Sequence, residues 1–149
     1  MKKTITLLIL FFGYAAIAQT VTTFAGKSNN DPFNNYESGG SADMTDTYFS
    51  LPEGICFDAN GEMYVSERNK VRVLRGTKTY TRAGSLAQPS LSEGYKNGTG
   101  TQTTFRVPSG MTSDANSDIF VADADNHCIR KISKFVNVSN EQTGSTFAG

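Results

Sequence analysis

The side chains best suited to chemistry lie in one stretch, VPSGMTSDANSDIFVADADNHCIRKIS, which runs from Val107 to Ser133. It combines several aspartates with the single histidine of the chain, His127, and with one of its two cysteines, Cys128. Carboxylates and imidazoles can bind metal ions or transfer protons, so the stretch could be a metal or catalytic site. Aspartate and asparagine are also common residues of tight turns, which is the competing interpretation.

Calcium is the most specific of the metal hypotheses, because Asp114, Asn116 and Asp118 offer oxygen ligands at alternate positions. A calcium-binding loop also has a glycine and a later bidentate glutamate, and neither follows here. A catalytic zinc site would need several imidazoles, which one histidine cannot supply. The sequence therefore predicts no catalytic residues, no metal ligands and no cofactor.

The turn interpretation is favoured by an internal repeat. FSLPEGICFDANGEMYVSE from Phe49 and FRVPSGMTSDANSDIFVAD from Phe105 share Phe, Pro, Gly, Asp-Ala-Asn and Val at a constant offset of 56 residues. A third segment recurs as VTTFAG, TYTRAG and GSTFAG, which end at Gly26, Gly84 and Gly149. Because repeated positions record requirements of the fold, turn roles are predicted for Asp58, Asn69, Asp114, Asp123, Asn126 and His127.

Both repeat units contain short runs of branched and aromatic residues separated by turn residues, which is typical of strands. These runs are 55–57, 63–65 and 71–74 in the first unit, and 110–112, 119–122 and 129–132 in the second. The predicted fold class is all-β, with two four-stranded antiparallel β-propeller blades and an extra N-terminal strand at VTTFAG. Propellers close with about four to eight blades, so this is an incomplete propeller, and we expect the chain to be a fragment of a longer one.

The two units resemble NHL repeats, the blades of a family of β-propellers. GYKNGTGTQTTFRVPSGM followed by IFVADADNHCIRKIS carries the resemblance, and GGSADMTDTYFSLPEGICFDANGEMYVSERNKVRVL is a more divergent copy. The likeness covers nearly all of 21–149, with one blade at about 49–84 and the other at about 105–149. Pro52 with Gly54, and Pro108 with Gly110, are expected to lead the chain into the innermost strand, where glycine permits close backbone approach.

The two cysteines are predicted to remain unpaired. Cys56 falls in the first strand of one blade and Cys128 at the start of the third strand of the next, a lateral offset of roughly 9–10 Å. A disulfide needs Cα atoms within about 7 Å of each other.

The N-terminus, MKKTITLLILFFGYAAIAQT, has the basic start, short apolar run and small-residue cleavage site of a secretory signal peptide. We expect residues 1–18 to be removed after Ala18 and the product to be secreted or periplasmic, with no stable membrane span. The chain has 14 basic and 14 acidic side chains, so it lacks the excess of positive charge that binding to nucleic acid requires.

Ligand contacts are expected in the long polar connections, which carry Phe33, Tyr36 and Tyr95, since loops carry function more often than strands do. The sequence thus predicts a noncatalytic binding or interaction scaffold for a protein or carbohydrate ligand. Two other hypotheses stay open. The chain could be a fragment of a propeller enzyme, a lyase or lactonase whose metal and catalytic residues lie in absent blades, or it could self-associate through open blade edges.

Overall fold

The computed structural model describes residues 19–28, 41–86, 93–134 and 143–148. From Ser41 onward these residues contain two five-stranded antiparallel sheets. The first sheet has the spatial order β1-β5-β4-β3-β2 and the second the order β6-β10-β9-β8-β7. The strands of the first are β1 Ser41–Asp43, β2 Gly54–Phe57, β3 Met63–Glu67, β4 Lys70–Arg75 and β5 Lys78–Gly84. Those of the second are β6 Gly98–Thr99, β7 Pro108–Ser113, β8 Ile119–Asp123, β9 Cys128–Ile132 and β10 Thr143–Ala148.

The all-β class with two antiparallel repeat units is confirmed, and the structure differs from the prediction in two details. Each sheet has a short fifth strand that comes from the segment before the repeat. In the first sheet β1 pairs with β5, and in the second β6 pairs with β10. The N-terminal segment VTTFAG is not a strand. Its end instead bonds to a turn, with the Gly26 N–H donating to the Met44 carbonyl over 2.8 Å and the Lys27 N–H donating to the Thr47 carbonyl over 2.8 Å.

The two sheets stack face to face over one apolar core. Because side chains alternate between the faces of a strand, β3, β4, β5, β8 and β9 each direct side chains of one face into this core. The first sheet contributes Tyr64, Val71, Val73 and Ala83, and the second contributes Phe105, Ile119, Val121 and Ile132. Fully burying one such side chain stabilises a fold by about 1.5–3 kcal/mol, so this interface is a major source of stability for the pair of sheets.

The innermost strands β2 and β7 lie in close contact at Gly54. The hydroxyl of Ser66 donates a 2.6 Å hydrogen bond to the Ser109 carbonyl of the second sheet. A Cβ added at Gly54 would lie 3.1 Å from the Ser109 carbonyl carbon and closer still to its oxygen. Glycine is therefore required at 54 by the neighbouring sheet.

The chain enters each innermost strand through a left-handed residue. Leu51 and Val107, which directly precede Pro52 and Pro108, have φ of 49° and 54°. This conformation is costly for a branched side chain and is disfavoured before proline. The structure holds Val107 by donation from its N–H to the Arg68 carbonyl, over 3.0 Å, so contacts with the first sheet maintain the strained turn.

Both cysteines are free, as the sequence predicted, with Cys56 on β2 and Cys128 on β9. Burial, and then the negative charge of Asp58, raise the pKa of the Cys56 thiol from 9.0 to about 11. Burial and the charge of Asp123 also raise the pKa of Cys128. Both thiols are therefore weak nucleophiles in the folded chain.

We expect both thiols to react slowly with a thiol reagent in the native protein near neutral pH and rapidly after denaturation without reductant. The rise in the pKa of Cys56 to about 11 leaves about a hundredfold less thiolate than an ordinary cysteine has. The measurement is the titration of thiols against time, with and without denaturant. A denatured monomer that shows no reactive thiol would contradict the prediction.

Candidate functional site

The first group of aspartates builds the hairpin turns between the first two long strands of each sheet. Asp114 Oδ1 accepts hydrogen bonds from the backbone N–H groups of Asn116 and Asp118, both over 2.9 Å. Asp58 does the same for Asn60 and Glu62, also over 2.9 Å. An aspartate that bonds its own backbone two residues on forms an Asx turn. These carboxylates therefore stabilise turns in both copies.

Asp123 has a larger role than a turn residue. It is fully buried at the end of β8, and its Oδ1 accepts from the Arg106 N–H over 2.7 Å. Its Oδ2 accepts from the Asn126 amide over 2.8 Å and from Nη1 of Arg130 over 2.9 Å. Beside it, His127 adopts the left-handed conformation with φ of 55°, and its backbone N–H donates to the Ala124 carbonyl. The side chain of Asp123 thus ties this turn to β9 and to the segment before β7.

Arg130 on β9 is fully buried and anchors the segment that leads into the second sheet. Besides its ion pair with Asp123, its guanidinium donates to the Thr104 carbonyl over 3.1 Å, the Lys96 carbonyl over 3.0 Å and Asn97 Oδ1 over 2.8 Å. Charge-assisted hydrogen bonds of this kind are roughly twice as strong as neutral ones. The bonds of Arg130 therefore fix the backbone on both sides of β6.

Tyr95 is the exposed part of this arrangement. Arg130 Cζ lies 5.2 Å from the centroid of the Tyr95 ring and 5.0 Å from that of Phe105, so the guanidinium contacts two aromatic rings. Phe105 is buried, whereas Tyr95 is 58% exposed. The Asn126 amide also donates to the Gly94 carbonyl over 2.9 Å, next to Tyr95. The buried guanidinium of Arg130 thus contacts the ring of Tyr95, which remains exposed to solvent.

Of the three aromatic residues expected to contact a ligand, the structure describes only Tyr95; Phe33 and Tyr36 lie outside the described residues. The two glycines of the Pro-x-Gly segments have different surroundings. Gly54 lies against the backbone of the second sheet, as described above. Gly110 differs from the expectation of close approach, because an added Cβ there would meet nothing within 4 Å. Asn69 is buried at the β3–β4 turn, the counterpart of Asn126.

The first sheet has an acid and an arginine at the corresponding positions, but in a looser arrangement. Glu67 and Arg72 are fully buried, with Arg72 Nη1 3.8 Å from Glu67 Oε1. Glu67 Oε2 accepts from the Ser50 N–H over 3.2 Å, which corresponds to the bond from Arg106 to Asp123. Burial raises the pKa of Glu67 to about 7, and the positive charge of Arg72 opposes the rise.

The raised pKa of Glu67 predicts a pH-dependent stability. A buried acid whose folded-state pKa exceeds its unfolded value favours folding at low pH, and this contribution is lost as the pH rises through about 7. Replacing Glu67 with glutamine removes the charge at every pH. Between pH 5 and pH 8 the free energy of unfolding of the wild type should therefore fall relative to that of E67Q. The expected fall is about 1.4 kcal/mol for each pH unit up to the folded-state pKa of about 7.

Urea denaturation at fixed temperature and several pH values measures this gap. The matched control is Glu62→Gln on the same sheet, whose carboxylate pairs with Arg75 at the surface and should give a gap that changes little. If the gap between E67Q and the wild type were the same at pH 5 and pH 8, a buried titrating Glu67 would be refuted.

The described residues contain no group of three or more His, Cys, Asp or Glu side chains that could hold a metal ion. They also contain no helix that is long and apolar enough to cross a membrane.

The sequence did not identify Arg130, Arg72 or Glu67 as candidate site residues. The available signal was an arginine inside an apolar strand at matching positions, in VRVL and in CIRKI, since a buried arginine needs an acidic partner.

The two stacked, repeat-related antiparallel sheets define the chain as a protein of the β-propeller type. Residues 105–132 match the family model of the NHL repeat, which confirms for the second sheet the resemblance seen in the sequence. Residues 105–132 of the second sheet thus form an NHL repeat, and Asp123, Asn126 and Arg130 lie inside the matched segment. A search of curated proteins found no match.

Proposed function

We propose that this chain is an exported, noncatalytic binding scaffold that contacts a protein or carbohydrate ligand through the loop around Tyr95. The observation that carries the proposal is the arrangement at Arg130, where a fully buried guanidinium holds a loop whose tyrosine is 58% exposed. Rigid, amphipathic tyrosine side chains supply contact area at low cost in conformational entropy, and they are common among the residues that dominate binding energy.

The use of the charged groups supports a noncatalytic role. Asp58 and Asp114 bind their own turns, and Asp123 is fully bonded inside the sheet. Asp118 pairs with Lys131 over 2.6 Å. General acid–base catalysis needs a carboxylate or imidazole within reach of a substrate, and these carboxylates already serve the fold.

Export is the part of the proposal that the sequence alone supports. The signal-peptide pattern of residues 1–18 predicts a product that begins at Gln19. Mass spectrometry of the protein purified from the periplasm or medium of an expression host would locate its N-terminus. A membrane-bound product with Met1 intact would contradict export with cleavage.

Binding is tested by probing arrays of oligosaccharides and of peptides with the exported chain and with Tyr95→Ala. Tyr80→Ala is the matched control, because Tyr80 is also a surface tyrosine, 37% exposed, but lies on β5. We expect the wild type and Y80A to bind a common set of array spots and Y95A to lose them by about tenfold or more in affinity. Thermal melting of Y95A checks that the loop around Arg130 remains folded, and Tyr95→Phe, which retains the ring, should retain binding.

Two outcomes would contradict the proposal. One is equal binding by the wild type and Y95A, which would place the ligand elsewhere. The other is turnover, measured as release of product from a uronic-acid polysaccharide or opening of a lactone by the exported chain in the presence of divalent metal. Turnover would favour the lyase or lactonase hypothesis.

A further inference from the structure

The outward face of the first sheet is apolar and is exposed along β2, whereas Val65 and Leu74 further across it are already buried. Ile55 and Phe57 on β2 are 61% and 56% exposed. Next to them lies a cavity of about 330 Å³, whose lining includes Phe24, Phe49, Ile55, Met63, Val65 and Leu74. We call this the leading face. Exposed apolar patches rimmed by polar residues are typical of interaction sites.

The same positions in the second sheet form an interface that is already built. At the repeat offset, Phe49, Met63 and Val65 correspond to Phe105, Ile119 and Val121. Those three residues are 0% exposed, because the first sheet covers them. The leading face therefore repeats a surface that, elsewhere in this molecule, binds the opposite face of a blade-type sheet.

The complementary surface lies on the far side of the second sheet, which we call the trailing face. Gly110 and Ile129 belong to it and correspond to Gly54 and Val71 of the first sheet. Gly54 is held against the neighbouring sheet and Val71 is 0% exposed, whereas Gly110 meets nothing within 4 Å and Ile129 is 40% exposed. Packing explains the absence of a side chain at Gly110 only if another sheet lies against this position.

The N-terminal segment marks where the approaching sheet would lie. Gly26 and Gly84 end the repeated segments VTTFAG and TYTRAG, and both have positive φ, 98° and 106°. Gly26 bonds to the Met44 carbonyl beside the first sheet, while β5, which ends at Gly84, packs on the 3₁₀ helix Gly100–Gln102 beside the second. Residues 21–26 thus occupy, next to the leading face, the place of the fourth strand of a docked sheet.

We propose that the leading face of one molecule binds the trailing face of a second copy of this chain, head to tail, with residues 21–26 of the first molecule replacing β10 beside β9 of the second. This goes beyond the scaffold proposed above, on which it rests only in taking the chain to be a binding module. The contact joins two sheet faces and, through residues 21–26, also pairs a strand of one molecule with β9 of the other. Because each copy keeps one face of each kind, the contact is heterologous and propagates to rings or open chains.

The test is sedimentation velocity of the exported chain from about 1 to about 100 µM, a range that reveals mass-action assembly. We expect dimers and larger species that dissociate on dilution. Ile55→Asp places a charge on the leading face and Gly110→Val adds bulk to the trailing face. Each should weaken association by about tenfold or more without lowering the melting temperature of the dilute protein. Leu86→Asp, at a 46% exposed loop residue, is the control for added charge and should assemble like the wild type.

Mixing the two variants gives the sharpest result. I55D retains an intact trailing face and G110V an intact leading face, so the mixture should form a heterodimer that stops at two subunits. Monomeric wild type at every concentration, unaffected assembly of either variant, or a mixture that stays monomeric would overturn the proposal. If Gly110→Val lowers the melting temperature, Ile129→Asp takes its place.

The same variants separate this inference from the proposed function. Loss of array binding by I55D alone would tie the ligand to the leading face and contradict the role of Tyr95, whereas Y95A should sediment like the wild type. A monomeric wild type that still binds ligand through Tyr95 would refute head-to-tail assembly and leave the scaffold role standing.

Discussion

Replacing Gly54 with alanine is expected to lower the free energy of unfolding by about 2–3 kcal/mol, a cost typical of overpacking at a tightly packed site. The new Cβ would lie 3.1 Å from the carbonyl carbon of Ser109 and 2.9 Å from the hydroxyl of Ser66. The Ser109 carbonyl belongs to the backbone of the second sheet and cannot rotate away. The two sheets must therefore separate locally, which also weakens the hydrogen bond from Ser66 to Ser109.

Gly110→Ala is the matched control for Gly54→Ala, because it adds the same atom at the corresponding position where nothing lies within 4 Å. Denaturant unfolding at a concentration below the association range should show a change of less than about 0.5 kcal/mol for G110A. Equal destabilisation by the two substitutions would mean that an intrinsic need for glycine, and not contact between the sheets, explains both positions.

Replacing Asp123 with alanine is expected to cost about 3–5 kcal/mol, the range seen when one partner of a buried ion pair is removed. The substitution leaves the fully buried guanidinium of Arg130 without its carboxylate. It also removes the acceptor for the Arg106 N–H and for the amide of Asn126. Since Arg130 positions the loop of Tyr95, D123A should also reduce ligand binding on the arrays.

Asp125→Ala tests whether burial is the cause. Asp125 lies two residues further along and pairs with Arg106 over 3.6 Å, with the two side chains 52% and 55% exposed. Such a surface pair contributes about 0–1 kcal/mol, so D125A should unfold almost like the wild type in urea. A loss from D123A no larger than that from D125A would refute the structural importance of the Asp123–Arg130 pair.

The repeat and the strands could be predicted because their signals are local. Alternating apolar residues and the Asp-Ala-Asn turns recur at a fixed offset, and the strands at Met63–Glu67 and Ile119–Asp123 lie where the pattern placed them. The bonds made by Asp58 and Asp114 are also local, since they span two and four residues. Turn chemistry of this kind follows from residue type and spacing.

The rest of the candidate site depends on contacts that no short stretch of sequence encodes. Arg130 reaches residues 26 to 34 positions away, so its partners become evident only when β9 lies beside the segment that precedes β7. The difference between Gly54 and Gly110 has a similar origin. The two glycines match in sequence, and only the presence of a neighbouring sheet distinguishes them.

The bonds of Arg130 also constrain the order in which the second sheet can fold. Hairpins such as Ile119 to Ile132 close over short distances along the chain and form on the microsecond timescale. The guanidinium, by contrast, is satisfied only after the loop from Lys96 to Arg130 has closed, at an entropic cost that grows with loop length. Until then the guanidinium of Arg130 must remain hydrated. Its burial is therefore a late folding step, which completes the second sheet. Native-state hydrogen exchange should therefore find the β8–β9 hairpin and the Tyr95 loop opening as separate units, with the loop opening first.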